Sequence, residues 1–438
     1  MCVFQEQLVV LGGWGKPHGN LNCVWVSHDG TQWAELESLP SDVWSPRHAF
    51  SALVFKDHLF VIGGCADAGL DSEVWRLSDL NYLNHQPIGD QESSDNTIDV
   101  ADATVVRVQW QVLESVAAAL FAKVGVPAHD SQLLARLLTS FDAEHRWSQS
   151  HGVNYVPVYC KQILAQTVNP SPTVQVLRDM PTVRAYGGDG GLGHIVCAAA
   201  TEWAITAAQK HGTATATTRH HAHAGALGFY ARMAVDRGCI AIVASSEPVI
   251  PLARSAHLGN LPIASPLCVG VPAGSTQPPL ILDFNTKLFG EANYKAGGFS
   301  QELFARLPSV YFKQLGLQSA AAALGGVLAG IYADDDDEAP KWGDANQGGF
   351  IMVLSPSAFV EDFEQTMGEF VSSACALEPL PGTPNAALPG GVEAQNAAVA
   401  REQGLELKAE LAWRLAELGA ELGVAVPEPL QPPSRAEG

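Results

Sequence analysis

Three histidines in four positions, His220, His221 and His223, stand in the run TATATTRHHAHAGALGFY (213–230). Imidazole exchanges a proton near neutral pH and is also the commonest metal ligand. Three readings of the cluster are open. A metal site needs roughly four converging ligands. Adjacent residues on a strand face opposite ways, so only His221 and His223 share a face. No cysteine or carboxylate stands near them at a ligand-like spacing. Core or solvated imidazoles with no chemical task are the second reading. In the third, His223 ends a β-run just before Gly225 and a helix expected to start near Ala226. Strand ends that meet helix N-termini are where α/β proteins hold reactive groups and anions. A histidine there works as an acid and base.

A second pattern, GDGGLG at 188–193, satisfies G-x-G-x-x-G and precedes a helical run. A dinucleotide fingerprint also needs a carboxylate about 20 positions on, at the end of the next strand. That strand, TATATT, is followed by Arg219 and His220. The glycines are therefore not read as a Rossmann phosphate loop. The acidic run DDDDE at 334–338 lacks the ligand spacing of an EF-hand and is read as a solvated loop.

The elements that must position these groups follow from periodicity. Ala-rich helical stretches are expected at 112–125, 131–145, 194–212, 226–238 and 401–424, with β-runs at 213–218 and 239–246. Their alternation is an α/β pattern. Leu405, Leu407, Leu411, Leu415, Leu418 and Leu422 form a packing face on the last helix. The first 80 residues are different. LVVLGGWG (8–15) recurs as LFVIGGCA (59–66), and a V-W pair recurs at 24–25 and 74–75. Each unit reads as a β-run, a Gly-Gly turn, a loop and a strand whose tryptophan packs between sheets. Residues 81–106 are polar and read as a linker; the Pro-rich tail 426–438 is expected to be disordered.

Charge and cysteine usage exclude other classes. Lys+Arg is 25 against Asp+Glu 46, a formal net charge of −21 over 438 residues. Such a surface repels phosphate backbones, so no nucleic-acid partner is expected. A small anion needs only a local pocket. The eight cysteines form no C-x-x-C pair and read as free thiols in a reducing compartment. No secretory leader is visible at the start, and no apolar run has membrane-spanning length. A cytoplasmic protein without membrane association is expected.

Two resemblances add to this reading. The period of about 50, the double glycine and the V-W pair of residues 1–80 resemble kelch repeats, which build β-propeller blades. Closure takes about four or more blades, so the segment is a remnant, a truncated piece, or a piece completed by another chain as its protein partner. From about 107 to 425, four stretches in order resemble the non-Rossmann malate/L-lactate dehydrogenase family, which includes ureidoglycolate and sulfolactate dehydrogenases. They are Ser150-His151-Gly152-Val153 with Tyr159, GGDGGLGH at 187–194, His223, Gly225, Gly228 and Tyr230 as H-x-G-x-x-G-x-Y, and the closing stretch 401–424.

This resemblance implies an α/β NAD(P)-binding fold of non-Rossmann type and a homodimer. It implies hydride transfer between NAD or NADP and a small 2-hydroxy or 2-oxo carboxylate. It makes His223 the acid/base and places Ser150, His151 and Tyr155 at the substrate. Ser245, Ser246, Asp283, Phe284, Asn285 and Lys313 fall at cofactor-facing positions. The chain departs from the family in three places. Tyr155 stands where an arginine clamps the substrate carboxylate, Ile263-Ala264-Ser265-Pro266 replaces a G-T-N-P turn, and the segment from 283 to 313 is short. Two alternatives therefore stand beside a working 2-hydroxy acid dehydrogenase. One is a catalytically impaired relative; the other is a kelch-type interaction protein with a scaffold domain downstream.

Overall fold

The computed structural model describes residues 2–4, 7–15, 19–35, 47–48, 51–55, 58–66, 69–77, 105–145, 151–248, 265–286, 301–332, 341–381, 383–427 and 430. Most of the expected linker, Ser150, the acidic run 334–338 and the end of the tail lie outside them. The chain divides into two compact units, Met1–Ile98 and Asp99–Gly438.

The first unit is all-β. Strands β1 (Cys2–Phe4), β2 (Gln7–Gly15), β3 (Gly19–Ser27) and β4 (Ala34–Glu35) form one antiparallel sheet. Strands β5 (Arg47–His48), β6 (Ser51–Phe55), β7 (His58–Ala66) and β8 (Gly69–Leu77) form another. The sequence repeat appears as twin hairpins. β2–β3 slips register between Leu11 and Gly13, and β7–β8 slips at the matching place, between Ile62 and Gly64. The glycine pairs thus sit inside strands, as bulges, where turns were expected. A bulge inserts an extra residue without reversing the chain. The tryptophan expectation is also corrected: Val24 is the buried member of its pair, and Trp25 is 37% exposed.

The second unit opens with β9 (Val105–Val108), α1 (Trp110–Lys123), α2 (Ala128–Glu144), a 3-10 turn (Val153–Tyr155) and α3 (Val156–Leu164). Leu113, Val116, Leu120 and Phe121 fall at helical spacing on one face of α1 and pack with Leu134 and Leu138 of α2. Each such fully buried side chain contributes about 1.5–3 kcal/mol. Then come β10 (Gln175–Asp179), β11 (Val183–Gly187), α4 (Gly193–His211), β12 (Thr213–His221), α5 (Gly228–Val235), β13 (Ile240–Ser246), β14 (Pro266–Val271) and β15 (Leu280–Asn285). After α6 (Gln301–Arg306), α7 (Pro308–Ala322) and a π-turn (Ala323–Leu328), strand β16 (Gln347–Leu354) returns to the sheet. A second 3-10 turn (Pro356–Ala358), α8 (Phe363–Cys375), α9 (Gly391–Gln403), β17 (Leu405–Lys408) and α10 (Ala409–Leu422) complete the unit.

The seven-stranded sheet has the order β10-β11-β12-β16-β13-β14-β15. Only β11 and β12 pair in parallel; every other neighbouring pair is antiparallel. The α/β class holds, in a mixed sheet. Ala214, Ala216 and Thr218 alternate inward along β12, and their small size lets the Ala-rich α4 lie close against it. The helices α1–α3 and α10 share a second core with the β9–β17 ribbon.

The single helix expected over 401–424 is two helices with a strand between them. Gly404, at φ +88°, ends α9 in a conformation that favours glycine. Leu405 and Leu407 are then buried on one face of β17, which pairs with β9. Arg107 and Glu406 form an ion pair across that ribbon. Among the described residues, no helix is long and apolar enough to cross a membrane.

Candidate active site

The end of β12 separates the three histidines by role. The register against β16 shifts between Thr218 and His221, and His220 takes φ +55°. This irregularity breaks the simple alternation expected for a strand. His221 turns into the core and is fully buried. Its Nε2 pairs with Thr218 Oγ1 at 3.0 Å and its Nδ1 with the Ala222 carbonyl at 2.8 Å. Burial lowers its pKa to about 4. With both nitrogens engaged by the protein, His221 is a structural residue.

His223 lies just past the strand, and its Nδ1 is 2.6 Å from Tyr159 Oη, on α3. Rings surround it. Tyr155 stacks on it at 5.2 Å between centroids, His151 stacks at 5.5 Å, and His194 meets it edge-on at 6.4 Å. Burial, then the nearby His151 and His221, lower the pKa of His223 to about 4. Burial also pushes the Tyr159 phenol well above its usual value, so the phenol keeps its proton. Tyr230, fully buried on α5, donates from Oη to the Ala224 carbonyl at 2.6 Å and fixes the chain beside His223. The structure thus brings His151, Tyr155 and His223 together, and adds Tyr159 and His194.

Asp142, on α2, places His151. Its Oδ2 accepts a hydrogen bond from Val153 N at 2.7 Å. A Cβ on Gly152 would lie 2.0 Å from Oδ1, so only glycine lets the loop approach this carboxylate. Burial raises the pKa of Asp142 to about 7, opposed by the Val153 hydrogen bond. No spacing in the sequence singled Asp142 out, because it serves the backbone of a loop beyond its own helix. Asp142→Ala leaves the buried Val153 amide unpaired and is expected to destabilise the unit by about 1–3 kcal/mol. Asp142→Asn keeps an acceptor and loses less. Urea unfolding of the two variants checks this; equal midpoints would overturn it.

His151 and His194 line a cavity together with Gly228, Asp283, Arg232 and Glu144. Arg232 Nη2 pairs with Glu144 Oε2 at 2.8 Å. Burial raises the pKa of Glu144 to about 7, against the opposing charge of Arg232. Asp283 turns its Oδ2 onto the N-terminus of α5, where Gly228 N donates at 2.6 Å. Desolvation of that carboxylate raises its pKa, although the residue keeps an exposed edge. Phe284 is half-buried and Asn285 exposed at the end of β15. Ser245 and Ser246 are buried under the π-turn, and their hydroxyls donate to the Gly348 and Glu247 carbonyls at 2.9 Å each. Lys313 is exposed within α7, where a position before a helix was expected.

The loop 188–193 runs beside the end of β12. Gly188 N donates to Arg219 O, Gly190 N to His220 O and Gly193 N to His223 O, while Ala222 N donates back to Gly191 O. These amides hold the histidine segment, so they do not form an open phosphate cradle. A Cβ on Gly193 would lie 2.6 Å from His221 Nδ1 and 2.7 Å from Ala222 O. Gly193→Ala is therefore expected to cost about 1–3 kcal/mol through overpacking against fixed atoms. A melting temperature equal to that of the parent chain would contradict this.

Comparison with known proteins gives a consistent relationship. Residues 108–294 match the family described as malate/L-lactate dehydrogenase. The chain is 28% identical over 311 residues to an L-lactate dehydrogenase of Cupriavidus necator, covering 64% of this chain and 87% of that protein. It is 26% identical over 333 residues to an L-sulfolactate dehydrogenase of Methanocaldococcus jannaschii, covering 69% of this chain and 94% of that protein. Among solved structures, a malate dehydrogenase of Pyrococcus horikoshii aligns over 74% of this chain and 97% of its own, with a TM-score of 0.63 at 22% identity. The chain therefore shares the fold of this dehydrogenase, and its residues 108–294 are similar to the malate/L-lactate dehydrogenase family.

Proposed function

We propose that the second unit is an NAD- or NADP-dependent oxidoreductase of the malate/L-lactate dehydrogenase family, acting on a small 2-hydroxy or 2-oxo carboxylate. His223 is its acid/base. The observation that carries this reading is the 2.6 Å pairing of His223 Nδ1 with Tyr159 Oη inside the ring cluster of His151 and Tyr155. Oxidation of a 2-hydroxy acid uses the tautomer in which Nδ1–H donates to Tyr159 Oη. The Nε2 lone pair then accepts the hydroxyl proton, and in reduction Nε2 returns it. A bound nicotinamide supplies or accepts the hydride at C2 of the acid.

The residues present fit such chemistry. His194 lines the cavity beside His151 and close to His223, and its buried Nδ1 has no hydrogen-bond partner. His151 and Tyr155 line the substrate side, with Ser150 adjacent in sequence. Asp283 lines the cavity of His151 and His194, and the resemblance assigns Phe284, Asn285 and Lys313 to the cofactor side with it. Ser245 backs that side by holding the end of β13 to Gly348 of β16, and Ser246 donates to the adjacent Glu247 carbonyl. The active form is a homodimer in the cytoplasm. The twin hairpins of the first unit support a kelch-like module for contact with a protein partner.

The test is titration of the full chain with NADH and with NADPH, read by nicotinamide fluorescence, followed by turnover of malate, lactate and sulfolactate. Binding of either cofactor together with oxidation of one of these acids supports the reading. Failure of a folded chain to bind either cofactor overturns it in favour of a domain that keeps the fold without the reaction.

A further inference from the structure

His194 carries a feature that His223 and His221 do not share. It is 3% exposed, at the start of α4, and its Nδ1 is buried without a hydrogen-bond partner. Buried polar groups are nearly always paired, and an unpaired one costs about 1–3 kcal/mol. The surroundings hold the imidazole in place. Tyr159 meets its ring edge-on at 5.4 Å, and the chain at Gly225 closes on Nε2 so tightly that a Cβ there would lie 2.3 Å away. The ring also forms part of the wall of the cavity that His151 and Arg232 line.

We infer that His194 is a substrate-binding residue, whose imidazole hydrogen-bonds the carboxylate of the small 2-hydroxy or 2-oxo acid while His223 serves its C2 oxygen. The 6.4 Å between the two ring centroids is a span that one such acid bridges. Burial and the neighbouring His223, His151 and His221 lower the pKa of His194 well below its usual value, so the free site holds a neutral ring. A neutral imidazole donates one hydrogen bond without adding charge to a site that already contains Glu144 and Asp283. The inference rests on the proposed dehydrogenase reading and adds to it the residue that selects for a carboxylate.

The test uses the full chain saturated with NADH, or with NADPH where that is the cofactor it binds, and titrated with oxamate, a small 2-oxo carboxylate analogue that is not turned over. Oxamate affinity is measured by calorimetry for the parent chain, His194→Phe, His194→Met and His194→Gln. Either apolar variant that folds suffices. The expected result is a loss of about tenfold or more in oxamate affinity for Phe or Met. Cofactor affinity is unchanged, and Gln, which still donates, recovers most of the loss. In turnover the loss falls on KM for the acid more than on kcat. Equal oxamate affinity in a folded apolar variant overturns the assignment of His194 alone. Absence of NADH, NADPH and oxamate binding in the parent chain overturns the dehydrogenase reading, and this inference with it.

Discussion

His223→Ala is expected to lower turnover of the 2-hydroxy acid by about a hundred- to ten-thousandfold, the usual weight of a positioned acid/base. Cofactor binding should survive, because the Ala side chain removes the imidazole without disturbing the backbone seam that holds the segment. That seam is made by Gly193 N to His223 O and its neighbours along 188–193. Fluorescence titration and steady-state rates on one preparation separate the two effects. Tyr159→Phe is the companion variant. It removes the partner of His223 Nδ1 and should retain more activity than His223→Ala, since the base remains but loses the hydrogen bond that orients its ring. Rates for His223→Ala within threefold of the parent chain would remove His223 from the reaction.

The second large effect is a pH dependence carried by one direction only. Reduction of a 2-oxo acid consumes a proton that oxidation releases. The ratio of kcat/KM for the two directions must therefore change about tenfold per pH unit, and the pKa of the free acid/base decides which direction shows it. Burial and the nearby imidazoles lower the pKa of His223 to about 4. Oxidation needs neutral His223, which is fully populated above that value, so kcat/KM for oxidation is expected to be flat from about pH 6 to 8. Reduction needs the protonated ring, whose fraction falls as pH rises. Its kcat/KM is expected to drop about tenfold per unit over the same range. A plateau in reduction up to pH 6.5, with oxidation falling below it, would mean that the ring titrates as an ordinary histidine.

Much of this site was legible before any coordinates. The resemblance grouped His151, Tyr155 and Tyr159 with His223, although no helix was expected over 156–164. The motif around His223 placed a proton-exchanging group at a strand end. Three things were hidden for physical reasons. Adjacent histidines on a regular strand alternate, but a bulge turned His221 inward, and bulges leave little trace in side-chain pattern. Asp142 acts on backbone atoms of a loop, so nothing in its own helix advertises it. Leu405 and Leu407 looked like part of a helical leucine face, yet their spacing of two is the step of a strand. Gly404 marks where the helix stops.

The fold's order was less legible than its elements. Alternating helices and strands suggested an α/β class but not the insertion of β16 between β12 and β13. That strand pairs with both neighbours, Thr213–Thr218 on one side and Ile240–Ser246 on the other. Its runs of buried residues, such as Phe350, Ile351 and Val353, are compatible with a central strand, but nothing local says which neighbours it joins.

That placement has a consequence for synthesis on the ribosome. The strand that joins the two halves of the sheet is made about a hundred residues after β13, and the β9–β17 ribbon ties residue 108 to residue 405. The segment 108–294, which carries the family match, lacks both β16 and β17. It emerges from the exit tunnel as two sheet fragments with unjoined edges, which invite association with other chains. The nascent domain thus depends on a late closure, and a truncation or stall before residue 354 is expected to yield an aggregation-prone product.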